Sequence, residues 1–294
     1  MATAISTLPE RQLKPLVSAY LAGARARRLR TVGIILITIV LLFLSANAAD
    51  IRPATFFAKI GNFGNYILRI TPHITIENFF GDIRDWYWDF RKWTVLLLQT
   101  LLIAYLGTLL GFLGAFCLCF IASANLTQHS AARFVARRFL EFCRTVPDIV
   151  FALIFVIAFG LGPMAGVLAL AIHTMGALGK LFAEVIENID MKPVDGIRAT
   201  GGNWLEIVRF AALPQVLPGF ASYALLRFEI NVRGAGVMGF VGAGGIGQEF
   251  LVAIRSFYYS DVSAILVMIA ITVIAIDMLT ERLRHRLVSV EKLQ

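Results

Sequence analysis

Two glycine-rich strings and four histidines are the first places to look for chemistry in this chain. Gly242-Ala-Gly-Gly-Ile-Gly247 satisfies the G-x-G-x-x-G spacing that lets a pyrophosphate approach backbone N–H groups between a strand and a helix. No strand–helix alternation surrounds it, and it lies between apolar runs. There the same spacing reads as a bent or re-entrant backbone, a gate segment in which Gly242, Gly244, Gly245 and Gly247 supply unusual φ values and close approach. Gly176-Ala-Leu-Gly-Lys180 resembles a phosphate loop, but Leu181 occupies the Ser/Thr position and Thr174 the first Gly position. Any use of ATP is therefore expected from another chain. His73, His129, His173 and His285 are scattered, the Cys117-x-Cys119 pair has no His or acidic neighbours, and Cys143 follows an Arg-rich stretch. The expectation is no catalytic residue, no metal and no cofactor in this chain. Ionisable groups inside apolar segments are functional candidates by default. Of these, Glu184, Glu187 and Asp277 are expected near span ends, where bonding to water or neighbouring helices accounts for them. His173, nearer mid-span, is open to lining a path.

The elements that must position such groups are set by composition. Hydrophobic residues make up 58% of the chain and mean hydropathy is +0.76, well above soluble usage. A hydrocarbon layer of about 30 Å needs roughly 20 apolar helical residues per crossing. Runs near Val32–Ala49, Trp93–Ala122, Pro147–Gly160, Met164–Ile186, Leu213–Val232 and Val262–Leu279 predict an all-α integral membrane protein with about six crossings. The short third run ends at Gly160-Leu-Gly-Pro163, a breaker that predicts an antiparallel hairpin with the fourth. Arginines cluster before the first run, between the second and third (Arg133, Arg137, Arg138, Arg144), and after the last (Arg282 to Lys292). By the positive-inside rule all three clusters and both termini are cytoplasmic. The net charge of +8 is thus a topology signal rather than a nucleic-acid surface. Residues 50–92, with Trp86, Tyr87, Trp88 and Trp93, suit an aromatic belt along the outer membrane surface. The N-terminal Arg-rich stretch, apolar run and Ala46-Asn47-Ala48 also imitate a signal peptide, against which stands the long stretch before the run.

Asp195–Pro218 is a polar amphipathic insertion between apolar spans. Met191-Lys192-Pro193 with Asp195 suits a helix start, Gly201-Gly202 a break, and Asn203 with Glu206 a capping-box-like restart. Two short helices are predicted, with Ile197, Trp204, Ile207 and Val208 on the apolar side. Periodicity alone leaves two roles equally open, a docking knob and a helix lying on the inner leaflet. The spacing Asp195-Gly196-Ile197, Gly201, then Ala211 before Leu213-Pro214 resembles the ABC-transporter permease signature E-A-A-x3-G-x9-I-x-L-P, with the E-A-A and the Ile substituted. Together with Arg144-Thr-Val-Pro-Asp148, Gly160–Leu170, Leu225–Arg233 and Val241–Gly247, residues 93–287 resemble the phosphonate ABC-transporter permease family, close to phosphite and hypophosphite permeases.

The resemblance implies an importer permease of type I-like architecture. Its partners would be a second copy of this chain, a cytoplasmic ATPase dimer that uses the ATP, and an extracytoplasmic phosphonate-binding protein. Residues 192–212 would be the coupling helix, contacting the ATPase through Asp195, Gly196, Ile197, Gly201 and Trp204, with Leu213-Pro214 setting the turn back into span five. The expected division is a cytoplasmic segment 1–31, a first span 32–49, an outer segment 50–92, the permease domain 93–287 and a tail 288–294. Arg227, Asn231 and Arg233, placed near the outer end of span five, are candidates with His173 for contacting an anionic substrate, since guanidinium groups fit such oxygens. Pairing of the two arginines with Glu229 is the competing role. Their six-residue separation does not put them on one face of a straight helix. Two other classes are weighed: an ion-gradient carrier, for which no inverted repeat of broken helices is visible, and an intramembrane enzyme, for which no nucleophile and base converge.

Overall fold

A computed structural model describes residues 10–291. The first nine residues and residues 292–294, including Lys292 and part of the expected tail, lie outside the described residues. The chain divides into two compact units, residues 1–67 and 68–294. In the first, α1 (Glu10–Ala48) is one continuous helix, so the expected boundary at residue 31 falls inside it. Its segment Gly23–Ala48 is long and apolar enough to cross a membrane. Asp50 takes a left-handed backbone, φ 51°, at the turn into α2 (Pro53–Ile70), whose Phe56, Phe57, Ile60 and Phe63 are exposed.

The regular elements described in the second unit are all helical: α3 (Phe79–Trp86), α4 (Phe90–Ala122), α5 (Ser130–Thr145), α6 (Asp148–Phe159), α7 (Pro163–Glu187), α8 (Met191–Ala199), α9 (Trp204–Glu206), α10 (Leu213–Met238), α11 (Ile246–Arg255) and α12 (Tyr259–Glu291). A π-helical segment, Ile207–Ala212, joins α9 to α10. Among the described residues, four helices are apolar and long enough to cross singly. The pairs α5 with α6 and α9–α10 with α11, bent by 86° and 48°, bring the number to as many as six.

The third crossing differs from expectation. Alone, α6 has 12 residues and reaches about 18 Å, short of a bilayer's roughly 30 Å. It is preceded at an angle of 86° by α5, the segment that the arginines assign to a loop. Helix α5 runs along α7, with Leu140 filling the space beside Gly179 and Arg137 paired with Glu187. The break at Thr145–Val146–Pro147 follows from proline, which cannot donate to the preceding turn and disfavours α geometry before it. The hairpin between α6 and α7 is present as expected: Gly160 and Gly162 have φ of 88° and 147°, and Pro163 opens α7.

The bundle packs through small residues. Side chains at Gly107 and Gly111 would collide with Leu170 and Thr174, so α4 and α7 approach at backbone distance. The aromatic belt is also corrected in part. Trp93 is buried, and Trp86 donates its indole N–H to Ser263 Oγ (3.0 Å) and the Ser260 carbonyl (3.2 Å), clamping the start of α12. Trp88, though exposed, donates to Asp261 (3.0 Å). A buried indole N–H needs a partner, and the first turn of α12 supplies one.

Candidate functional site

Two regions carry the predicted residues. The first is the knob between α7 and α10. Asp190 caps α8 by accepting from the Lys192 amide (3.0 Å), and the chain leaves the helix through Gly201 at φ 82°. The Gly202 amide returns to the Ile197 carbonyl (3.0 Å). Asn203 and Glu206 then form the capping box reciprocally, at 3.0 and 2.7 Å. Val194, Ile207 and Ala211 are buried in one cluster with Phe182 of α7 and Phe220 of α10, whose rings stack at 3.8 Å. Burial of Val194 alone contributes about 1.5–3 kcal/mol. Asp195, Gly196, Gly201, Trp204 and Leu205 remain exposed. Within the chain, a Cβ on Gly196 or Gly201 would meet nothing within 4 Å.

One expectation for this region changes. The apolar residues Ile197, Ile207 and Val208 turn onto the chain's own core. Leu213-Pro214 does not make a turn. From Trp204 to Met238 the path is helical, and the widened π turns lie just before Pro214, whose ring displaces the carbonyl of the preceding turn. The second predicted short helix is thus the first turns of α10.

The second region lies at mid-bundle. Asn231, 1% exposed, donates from Nδ2 to Thr108 of α4 and Thr174 of α7, each at 2.8 Å. Thr174 Oγ1 also accepts a long bond from Arg227 Nε (3.5 Å). That is the only hydrogen bond of Arg227 among the described residues, and no carboxylate lies within 4 Å of it there. His173 Nδ1 meets the Val146 carbonyl at 3.1 Å, at the break between α5 and α6. A carbonyl only accepts, so Nδ1 carries a proton. His173 stands about 15 Å from one end of α7 and about 21 Å from the other, so the cluster lies near mid-length.

Arg227 and Asn231 thus meet at Thr174, beside His173 in the sequence of α7, while Arg233 does not join them. Arg233 bonds Glu229 and Asp277, each at 2.7 Å, on the side of α10 that faces α12. Pairing with Glu229 thus describes Arg233 and not Arg227. Two depths are also corrected. Because α10 continues to Met238, the residues assigned to the outer end of span five lie within the helix. Asp277 sits at their level rather than near a span end, with Oδ1 buried and unpartnered. Glu187 does serve at a helix end, accepting from Arg137 and the Ala124 amide.

In the glycine segment, Gly242, Gly244 and Gly245 have φ of 80–83°. The Gly245 amide donates to Gln99 Oε1 (3.3 Å) and that of Ile246 to Thr100 Oγ1 (2.8 Å). Donors that a phosphate cradle would need are already used. A Cβ on Gly247 would overlap the Gly236 carbonyl oxygen, so α10 and α11 cross backbone to backbone.

Sequence reasoning missed Asp148. It had been placed at a span end because the break at Pro147 reads as a span start. Its Oδ1 accepts from the Ile149 amide (2.9 Å), and its Oδ2 faces α10, 3.4 Å from where a Cβ on Gly234 would stand. The available signal was the short apolar run after it, too short to place that carboxylate at a surface. No group of three His, Cys, Asp or Glu side chains suited to a metal occurs among the described residues.

A bundle of broken and continuous membrane helices, with a polar constellation at mid-depth and a knob at one end, is the form of a multi-pass transport subunit. Residues 107–289 match the family model described as binding-protein-dependent transport system inner membrane component, and the chain belongs to that family. It is 40% identical over 195 residues to the phosphite transport system permease protein of Stutzerimonas stutzeri, covering 66% of this chain and 71% of that one. It is likewise 40% identical over 191 residues to the phosphate-import permease protein of Mycolicibacterium smegmatis, covering 65% of this chain but only 36% of that one. A third relative, of Escherichia coli, provisionally named a cryptic phosphonate transport system permease protein, is 51% identical over 121 residues, 41% of this chain and 99% of its own. Among solved structures, a chain of the inward-facing MetNI methionine ABC transporter superposes with a TM-score of 0.57 at 20% identity, over 66% of this chain and 95% of that one. A chain of a bacterial alginate ABC transporter, in complex with its pentasaccharide-bound periplasmic protein, gives 0.55 at 13% identity, over 94% and 98%. At those identities the likeness is one of fold.

Proposed function

We propose that this chain is the permease subunit of an ATP-driven importer for phosphonates. Two copies form the path, two cytoplasmic ATPases drive it, and an extracytoplasmic binding protein delivers the substrate. The observation that carries the reading is Arg227, a guanidinium at mid-depth with no carboxylate within 4 Å among the described residues. Left in lipid, one such charge costs at least about 2.5 kcal/mol, so it belongs beside a polar path and an anionic passenger. Asn231, Thr174 and His173 complete that wall. Arg233, neutralised by two carboxylates, serves helix packing instead.

The knob is the coupling element and lies with both termini on the cytoplasmic side, where the arginine clusters put it. Its two glycines, open within the chain, leave the ATPase a surface for close approach. Gly242–Gly247 is a packed corner beside the path. Closure of the ATPases moves the knobs, and through Val194, Ile207 and Phe220 the movement passes into α7 and α10; contacts that differ between the two states supply the bias. ATP is bound by the partner, and this chain uses no cofactor of its own. Phosphite, hypophosphite or another small oxyanion is the second reading, favoured by the phosphite permease relative.

The test is uptake of labelled methylphosphonate by cells that lack their own permease but retain its ATPase and binding protein. Uptake requires the intact chain and fails with Gly201→Asp and Arg227→Ala. Near-normal uptake by Arg227→Ala would assign that residue to structure alone. Normal coupling of ATP hydrolysis in Gly201→Asp would remove the coupling role. Uptake of phosphite but not methylphosphonate would establish the second reading.

A further inference from the structure

We propose that Asp148 and Arg227 form a two-ended site that selects an oxyanion still carrying one acidic hydroxyl, with its anionic oxygens against the Arg227 guanidinium and its P–O–H donating to Asp148 Oδ2. The inference rests on the phosphorus-oxyanion reading above and adds to it the protonation form that is passed and a residue that chooses it.

The geometry comes from one stripe of α10. Gly234 follows Arg227 by seven residues, two helical turns, so both lie on the same side about 10 Å apart along the axis. Asp148 Oδ2 is turned toward this stripe at Gly234, where the missing side chain leaves it room. Its other oxygen is committed to the Ile149 amide (2.9 Å), and Oδ2 has no hydrogen-bond partner among the described residues. Asp148 and Arg227 are both partly buried and do not form an ion pair with each other. A cation and a free acceptor thus face the same stretch of α10, unjoined, at the break between α5 and α6.

A singly ionised phosphonate or phosphite carries both complements, anionic oxygens for the guanidinium fork and one hydroxyl donor for the carboxylate, and singly ionised phosphate carries two such donors. A sulfonate has the same tetrahedral shape and charge but only acceptors. Against Asp148 it sets acceptor to acceptor and negative charge to negative charge, which discriminates by repulsion as well as by a lost bond. Sites built around a substrate hydroxyl reject analogues lacking it far more strongly than apolar pockets reject a missing methylene.

The purified full chain in lipid nanodiscs tests this by direct binding of methylphosphonate and methanesulfonate, which leaves the binding protein's selectivity out of the measurement. Mildly acidic buffer keeps the phosphonate singly protonated. Wild type is expected to favour methylphosphonate by about tenfold or more. Asp148→Asn, whose amide can donate, brings the two within about threefold, while Asp148→Glu retains the preference. Wild type that binds the two anions equally overturns the inference without any variant and leaves the transport reading intact. An unchanged preference in well-folded Asp148→Asn does the same. Wild type that binds no phosphorus oxyanion removes the transport reading, and this inference with it.

Discussion

Gly201 offers a separation between a residue needed for its backbone and one needed for what approaches it. Its φ is 82°, and a Cβ there meets nothing within 4 Å, so inside the chain the whole cost of a side chain is conformational. For alanine that cost is about 1–2 kcal/mol; for asparagine, which tolerates the left-handed region, it is a few tenths. A domain of this size shifts its Tm by about 2–4 °C per kcal/mol. Gly201→Ala should therefore lower Tm by about 2–8 °C and Gly201→Asn by about 1 °C or less. Coupling should not follow that order. If a partner seats against the bare Cα, asparagine blocks it at least as well as alanine. Thermal unfolding in detergent, read beside substrate-stimulated ATPase activity of the reconstituted assembly, compares the two scales. Full coupling in Gly201→Asn would refute the close-approach argument and leave Gly201 as a turn residue only.

Gly247→Ala places a carbon on the Gly236 carbonyl oxygen, and neither backbone can retreat. A loss of 3 kcal/mol or more, of order that of a serious overpacking, is expected as failure to recover monodisperse protein. Thr174→Val removes the acceptor shared by Asn231 and Arg227; a double-mutant cycle with Asn231→Ala should give a coupling of about 0.6 kcal/mol, and at most about 1.7. Asp82 accepts from the Thr75 amide (2.7 Å) and hydroxyl (2.6 Å) and from Asn78 (3.1 Å), which hold its carboxyl below the usual carboxylate range. Its contribution is complete above the unfolded pKa of about 3.9 and is lost as pH falls through the lower folded value. Carboxyl NMR should show this titration, moved upward in Thr75→Ala.

Local signals were legible and long-range ones were not. The break at Gly201-Gly202 and the Asn203–Glu206 box could be read because their chemistry is confined to a few neighbours. So could the Gly160–Pro163 hairpin. The merger of the second knob helix with α10 could not, since Leu-Pro suggests a turn and only the packing of Ile207 and Ala211 on Phe182 and Phe220 continues the helix through π turns. The two arginines of α10 looked alike in sequence. What separates them is Asp277, 44 residues beyond Arg233, and no local pattern announces that partner. Asp148 was hidden because the arginines of α5 resembled a loop. Only one face of α5 packs inward, through Ala136, Leu140 and Cys143, with Arg137 paired to Glu187 at the end of α7, while Phe134, Val135, Phe139 and Phe142 are exposed.

The crossing at Gly236 and Gly247 bears on how α10 can respond to a push. Interlocked backbones have no rotamers with which to yield, so that end of the helix and α11 behave as one stiff casting. The opposite end begins in widened π turns, a departure from regular helix geometry. Compliance is therefore concentrated at the knob, and a displacement applied there pivots α10 about its anchored end instead of sliding it along its axis. The residues carried through the widest arc are those nearest the knob. Arg227, partway up, swings less, which keeps its guanidinium near one depth while the walls around it open and close.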